Sequence, residues 1–594
     1  MSEPKPKAPD SPPPDSPPPD SPPPDTPENE RTRALVVLSF WTVVLLLGLP
    51  LWWFTTSIYR APLPLEEMQS WANGRACRAE FPLLVDVEAP TLPDPENLLK
   101  TVQHALDDAN DFSAHHLRLR LAYGKDDERI STTIQSDLQP ERKGETGGPE
   151  DEEESVAAIL RLAPGTSGST HSYQLHNSSR VIDLYYSPSY NPSSSASSTS
   201  LALFISNTLQ EIFREEQQMI SHLLSSAAAP SPSPPPASSG SNNSSNGSNK
   251  INKAEIQRKM SRIMRYSPTY HLTFSMFTAS GSPTSWEVEQ SIEDYLQPLL
   301  DALSGISNFT VDSQIQFYAS LSPNVVPVWV PTNPEVVVPE DQQQQPQPGK
   351  WVLKKEDLSS FINSAEWPLV SITSYPTINF IVYIPSKEQT PLAIPESATN
   401  AFLLPQWGGV MVLNPTEESH TGHISKKDLK PAMDIFAAQL LSLLGAPSRP
   451  LSLPIRIDSL TRQRSAELLT SASSSLGSLY SLTKALPSIS IPTSVLTSVG
   501  STLSSLTNAC RELKKGRFGG PGGALEEGRN AAYQAEKAFF EKSMVGQVYF
   551  PEEHKVAVYL PLLGPVGVPL IMNALKWIFG MVKEWKANRR GAAV

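Results

Sequence analysis

Two imidazoles stand three residues apart in His420-Thr421-Gly422-His423, and two more are adjacent in His115-His116. Imidazole is a metal ligand and a base near neutral pH, so these are the first places where the chain could do chemistry. The first pair follows Glu417-Glu418-Ser419 and reads as a polar loop. It offers two ligands where a metal site wants three or four. The second pair lies in an alternating stretch, where strand neighbours point to opposite faces and cannot chelate together. The only two cysteines, Cys77 and Cys510, sit in no C-x-x-C or protease-like motif. No G-x-S-x-G elbow, H-E-x-x-H, P-loop or D-x-D occurs. The sequence thus nominates no catalytic residue, no metal set and no cofactor motif. A carboxylate pair assembled from distant positions would leave no local trace.

Composition narrows the function classes. A formal charge of −13 without basic stretches interleaved with aromatics argues against nucleic acid. The 594 residues leave room for two or three domains. Residues 1–33 carry DSPPP three times from Asp10, with Ser11, Ser16 and Ser21 each before proline. That tract cannot bury a core and is expected to be a disordered, extended tail.

Two apolar runs frame the rest. Ala34–Phe54 carries no charge, and Trp41, Trp52 and Trp53 suit a headgroup belt. It predicts a first transmembrane helix over residues 34–56, too long for a cleaved signal peptide. Val556–Leu575 predicts a second within 556–582, and the basic tail 583–594 reads as its stop-transfer flank. Both termini are then expected in the cytosol, with the intervening chain in a lumen. N-x-S/T acceptor triplets open at Asn177, Asn242, Asn243, Asn246 and Asn308, all between the two runs.

Between the runs, strand and helix patterns mix over residues 60–445, predicting an α/β domain with a mixed sheet and covering helices. Strands are expected at Leu83–Val87, His116–Leu121, Val181–Tyr186, Tyr270–Phe277, Phe309–Tyr318, Leu369–Ile372 and Thr377–Ile384. Helical spacing runs from Leu201 to Leu224 and over Asp428–Leu444. Thr284-Ser285-Trp286-Glu287 fits a capping box. Low-complexity inserts interrupt the domain near 140–155 and 227–250. From 446 to 555 strand signals vanish, and a helical arm is expected through Ser459–Leu482, Thr493–Glu512 and Ala524–Met544.

Several of these blocks carry a resemblance. Trp52-Trp53-Phe54 leading to Tyr59-Arg60 and two prolines is one. Another is Asn400-Ala401-Phe402, then Pro405, then Trp407-Gly408-Gly409 and a short strand ending at Asn414. The arm opens on Arg462-Gln463-Arg464-Ser465-Ala466-Glu467 and closes on Tyr549-Phe550-Pro551-Glu552. In this order they resemble the PIG-S family, subunit S of the GPI transamidase complex, in a fungal-like form. The resemblance is thin across residues 125–260. It implies a non-catalytic structural and assembly subunit at the endoplasmic-reticulum membrane, where preformed GPI anchors are attached to protein C-termini. It implies PIG-K as the catalytic cysteine protease, with PIG-T, PIG-U and GPAA-type subunits as further partners, and no cofactor. The rival class is a luminal membrane-anchored hydrolase or transferase acting on lipid-linked glycans.

Two structural expectations complete the reading. In an oxidising lumen Cys77 and Cys510 are a candidate disulfide, with bonding to another subunit as the alternative. Pro561, Pro565 and Pro569 stand four residues apart and share one helix face, beside Gly564 and Gly567. Each proline removes a backbone donor, and the glycines admit close approach. The face is expected to dock another subunit, with a bent helix packed on the first apolar run as the alternative.

Overall fold

The computed structural model describes residues 27–48, 50–51, 54, 59–122, 156–165, 170–187, 195–227, 253–331, 349–363, 367, 369, 373–415, 422–487, 489–544 and 552–591. The chain forms two compact units. One comprises Met1–Ala61, Leu486–Pro492 and Lys542–Val594; the other comprises Pro62–Ala485 and Thr493–Glu541.

The first unit holds helix α1 (Pro27–Val43), continued by a π-turn at Val44–Gly48, and the long helix α12 (Glu552–Gly591). Arg60 pairs with Ile491 in an isolated bridge, and its guanidinium donates to the Pro487 carbonyl. The spans expected over 34–56 and 556–582 are not supported by these helices. Among the described residues, no helix is long and apolar enough to cross a membrane. The first two turns of α1 carry Glu28, Glu30, Arg31 and Arg33, and its α-pitch ends at Val43. In α12, charged residues occupy both ends and proline and glycine dilute the apolar stretch. The fold class is therefore a mixed α/β architecture without supported anchoring spans.

The second unit opens with α2 (Leu65–Ala72), followed by β1 (Phe81–Glu88), α3 (Pro95–Asp108), β2 (His115–Leu121), β3 (Val156–Pro164), β4 (Ser172–Leu175), β5 (Val181–Tyr186) and α4 (Ser195–Ala227). After the short α5 (Lys253–Met260) comes β6 (Thr269–Thr278), then the two-residue β7 (Ser285–Trp286). Next, α6 (Val288–Ser291) passes through a π-turn into α7 (Gln297–Leu303) and β8 (Asn308–Gln316). Short strands β9 (Val328–Pro331) and β10 (Gly349–Val352) precede β11 (Thr377–Ile384), and β12 (Leu392–Ala393) follows it. Then come β13 (Ala401–Leu404), β14 (Gly408–Val412), β15 (His423–Ile424) and α8 (Lys426–Leu443). Three helices finish the unit: α9 (Leu453–Ala485), α10 (Thr493–Lys514) and α11 (Ala524–Phe539).

The strand pairing contains a duplication. The first sheet runs β2-β1-β3-β5-β4, parallel except for β4. The second runs β8-β6-β11-β14-β13, parallel except for β13. In each, the first strand is an inner one, a helix leads to the outer second strand, and an antiparallel hairpin supplies the opposite edge. Each ends in a long helix, α4 in one half and α8 in the other. The unit is thus two copies of one α/β plan, and reversal of strand order beside β1 and β6 creates one switch point in each.

The second copy shows why such strands read as continuous apolar runs. In β11, Ile378, Phe380, Val382 and Ile384 join a core shared with α6, α7 and α8. The intervening Ile381 and Tyr383 join a separate core beneath the β9, β10 and β12 insertion. Phe274 and Phe380 stack with centroids 5.3 Å apart, and Phe436 of α8 lies 4.9 Å from Phe380. Helices α9, α10 and α11 pack on one another, and α9 also meets α2 and α4. Leu460 and Leu468 of α9 and Leu525 of α11 belong to the second sheet's core.

Local patterning gave way to tertiary pairing at one expected element. Ser285-Trp286 pairs in parallel with His423-Ile424 instead of opening a helix, and the helix begins at Val288. Leu369 lies outside any strand, and residues 370–372 lie outside the described residues, as do 1–26, 228–252, Trp52, Trp53 and His420.

Candidate functional site

The described half of the two-histidine motif enters a hydrogen-bonded trio. Pairing of β7 with β15 sets His423 beside Ser285, and Ser285 Oγ lies 2.8 Å from His423 Nδ1. His423 Nε2 is 3.3 Å from Glu287 Oε1. Hydroxyl, imidazole and carboxylate in series are the elements of a nucleophilic relay. Here the carboxylate is already committed, because its second oxygen accepts Lys426 N–H at 2.8 Å. That bond, with His423 beside it, holds the Glu287 carboxyl below the usual carboxylate range. The His423 and Glu287 side chains are 49% and 37% exposed, so water competes for every bond in the series. The trio fastens β7 to β15 and caps the start of α8, where Ser425 and Asp428 form their own capping box.

The Trp-Gly-Gly block is a packing device. Gly408 sits opposite Asn379 in the β11–β14 register. A Cβ there would lie 1.9 Å from the Asn379 carbonyl oxygen. At Gly409 a Cβ would lie 1.8 Å from Oε1 of Gln439, on α8. The first glycine lets strands meet, and the second lets a helix approach the sheet. Trp407 packs against the core beneath the insertion, and Phe402 packs edge-on to Phe361 with centroids 5.5 Å apart. Pro405 is exposed in the hairpin turn, next to Gln406 at φ 56°. The asparagines at the block's ends converge on β12. Asn414 receives the Leu392 N–H and donates to the Leu392 carbonyl, both at 2.9 Å. Asn400, at φ 50°, accepts the Ile394 N–H at 3.2 Å.

Two arginines of the Arg462–Glu467 motif clamp the duplicated halves. Residues two apart on a helix are about 200° apart around its axis, so Arg462 and Arg464 leave α9 on nearly opposite sides. Arg462 forms a bidentate pair with Glu216 of α4, with N–O distances of 2.5 and 2.8 Å. His115 Nε2 adds a contact at 3.2 Å to the same carboxylate, and all three side chains are at most 3% exposed. Burial alone would raise the Glu216 pKa, but the Arg462 charge and hydrogen bonds, helped by His115, hold it far below the carboxylate range. Arg464 instead donates to the carbonyls of Leu444 at 2.7 Å and Met264 at 3.2 Å, and pairs with Glu467. It thereby closes the end of α8. One helix thus grips the last helix of each copy. Sequence reasoning found the arginine motif but not Glu216, which lies 246 residues from Arg462 and carries no local signature.

Cys77 and Cys510 form a disulfide with Cα atoms 6.2 Å apart, across 433 residues of sequence. It ties the segment after α2 to α10. Serine at both positions is expected to cost about 2–4 kcal/mol of stability. Thermal melts with and without reductant check this. Reductant should lower the wild-type midpoint and leave the double variant unmoved; alkylation of both thiols without prior reduction would contradict the bond.

Asn177 and Asn308 are exposed, whereas Asn242, Asn243 and Asn246 lie outside the described residues. Tyr59 is exposed, and its carbonyl accepts the Ile491 N–H at 3.1 Å. Pro561, Pro565 and Pro569 are exposed on α12, and a Cβ at Gly564 or Gly567 would meet nothing within 4 Å. Among the described residues, no group of three or more His, Cys, Asp or Glu could hold a metal ion.

Comparison with known proteins extends the geometry. The family model of the phosphatidylinositol-glycan biosynthesis class S protein matches residues 39–587. The chain is similar to the GPI-anchor transamidase component PIGS of Bos taurus, at 28% identity over 92% of this chain and 95% of that protein. The Rattus norvegicus protein of the same name gives 28% over the same shares. The GPI transamidase component PIG-S homolog of Schizosaccharomyces pombe gives 27% identity over 93% of this chain and 85% of its own length.

Proposed function

The chain belongs to the phosphatidylinositol-glycan biosynthesis class S family, and from that membership we propose that it serves GPI anchor attachment as a structural subunit of the transamidase. The observation that carries this reading is the family match over residues 39–587, which takes in both units. Within the complex we assign it no bond-making role. Its densest motifs are spent on packing: glycines that admit neighbours, asparagines that hold β12, arginines that join two halves. The cysteine-protease chemistry is assigned to a PIG-K subunit, with PIG-T, PIG-U and GPAA-type subunits as further partners.

A transamidase component is expected at the endoplasmic-reticulum membrane, and we place the second unit in the lumen. Two observations support that side. The Cys77–Cys510 bond suits an oxidising compartment, and the Asn177 and Asn308 acceptor sites are exposed for glycans. The face of α12 bearing Pro561, Gly564, Pro565, Gly567 and Pro569 is our choice for subunit docking, because both glycines open onto unfilled space.

Affinity purification of the full chain from detergent extract tests both statements. Wild type is expected to bring down a caspase-like protease in a stable complex. Leucine at Gly564 and Gly567 is expected to release the chain from that complex while its abundance holds. A wild-type chain isolated alone, with its own turnover, would sink the subunit reading. A leucine variant that still assembles would remove only the docking face.

A further inference from the structure

One end of the Cys77–Cys510 bond borders open space. Cys510 lines a groove of about 650 Å³ between α2 and the end of α10, the size of a small-ligand site. Cys77 is not among the residues that line it. The sulfur on the groove side therefore belongs to Cys510, with Cys77 behind it. Disulfides exchange when a thiolate attacks one sulfur and expels the other. A thiolate held in this groove meets Cys510 and has Cys77 as its leaving group.

The surroundings of the two sulfurs favour the same direction. Cys510 stands near the C-terminal end of α10, where the helix dipole disfavours an emerging thiolate. Cys77 lies between α2 and β1, outside helix and strand, and is half-buried. Exposed Arg75 and Arg78 flank it in sequence. Cations beside a sulfur stabilise its thiolate and make it the better leaving group.

The groove also selects the incoming thiol by charge. Arg511, Lys514 and Lys515 line it from α10 and the residue beyond, and Glu67 lines it from α2. Lys514 follows Cys510 by four residues and so shares its helix face. The buried Glu512 carboxylate is shared by Arg511 at 3.5 Å, Lys515 at 3.8 Å and Arg517 at 3.1 Å, which leaves positive charge in excess. Among the described residues, Lys514 has no carboxylate partner, and it is exposed. We propose that this groove is a thiol–disulfide exchange site for an anionic peptide thiol such as glutathione. The two carboxylates of that tripeptide answer the cations, and its ammonium answers Glu67. Its thiolate forms a bond to Cys510 Sγ while the Cys77–Cys510 bond breaks. The electron pair of the broken bond leaves on Cys77 Sγ, which takes up the proton that the attacking thiol released. The incoming sulfur is oxidised to a disulfide sulfur and Cys77 is reduced to a thiol, so the electrons balance. Return of the Cys77 thiolate to Cys510 reverses the step. In the exchanged state residues 73–80 are no longer tied to α10. The assignment stands on the groove and the bond and does not depend on a role in the transamidase.

Exchange kinetics of the full-length purified chain test it, with glutathione, neutral 2-mercaptoethanol and cationic cysteamine as probes. Samples are quenched in acid and alkylated, each cysteine is read by mass spectrometry, and rates are compared per thiolate present. Glutathione is expected to open the bond at least about tenfold faster than cysteamine, with 2-mercaptoethanol between them and the advantage shrinking as salt rises. The earliest product should carry glutathione on Cys510 and a free thiol at Cys77. Lys514→Ala with Lys515→Ala is expected to slow glutathione at least about fivefold and to leave 2-mercaptoethanol within about twofold. Arginine at both positions should keep the wild-type rate. Both lysines are exposed, so an unchanged melting curve should show that these variants fold. Equal rates for the three thiols, an early product with glutathione chiefly on Cys77, or an unaltered glutathione rate in the folded alanine variant would overturn the assignment.

Discussion

Replacing Arg462 with leucine is expected to destabilise the second unit by about 3–5 kcal/mol, because it leaves the Glu216 carboxylate buried with His115 as its remaining contact. The pH dependence should change sign with the mutation. In the wild type the Glu216 pKa lies below its ordinary 4.5, so its contribution is present above that value and is lost as pH falls toward the folded-state pKa. Acid should therefore destabilise the wild type below about pH 4.5 through this group. Without Arg462, burial becomes the dominant influence and raises the carboxyl's pKa. The folded variant then takes up a proton more readily than its unfolded chain, and acidification from neutral pH should narrow its deficit. Adding Glu216→Gln to Arg462→Leu should recover part of the loss, since no buried charge remains. Denaturant melts of the three proteins from pH 7 to pH 4 read all of this. An Arg462→Leu deficit that stays constant over that range would mean that the charge of Glu216 is not what the arginine balances.

That pair also marks where sequence reading stopped. Long, strongly patterned elements were legible: Val181–Tyr186 and Thr377–Ile384 have the expected bounds, and the Leu201 helical pattern lies inside α4. Their period or apolar run is set by which faces are buried, and that is written residue by residue. The duplication was not legible. The corresponding strands β1 and β6 bury different numbers of faces, alternating in one and nearly continuous in the other, so their sequences do not look alike. The β4 edge, Ser172–Leu175, is exposed and polar and gives little strand signal. The Thr284–Glu287 capping box was misleading for a related reason. Its residues fit a local rule, but pairing of Ser285-Trp286 with His423-Ile424 overrides it, and Glu287 caps a helix 139 residues away. Charge partners such as Arg462 and Glu216 are fixed by topology and leave no spacing to read. The apolar runs misled in the opposite direction, since length without interruption predicted spans that the described helices do not support.

Gly408→Ala should be the most damaging single change in the Asn400–Asn414 block, at more than about 4 kcal/mol, and the full chain should fail to accumulate. The added methyl would meet the backbone carbonyl of Asn379 at 1.9 Å, and that carbonyl belongs to the central strand β11. No rotamer relieves a clash with backbone, so β14 must separate from β11. The residue also sits at φ 156°, outside the range that side-chain-bearing residues favour. Gly409→Ala is the informative contrast. Its methyl would meet the amide end of Gln439, which can swing aside at the loss of its 3.0 Å bond to the Phe402 carbonyl. A cost of about 1–3 kcal/mol is expected. Gln439→Ala opens that space, so it should be less damaging in the Gly409→Ala background than in the wild type. The same change should do nothing for Gly408→Ala. Soluble yield and melting midpoint of the five variants decide the matter. If Gln439→Ala rescued Gly408→Ala as well, the two glycines would be serving one helix contact, and the separate roles argued for them would be wrong.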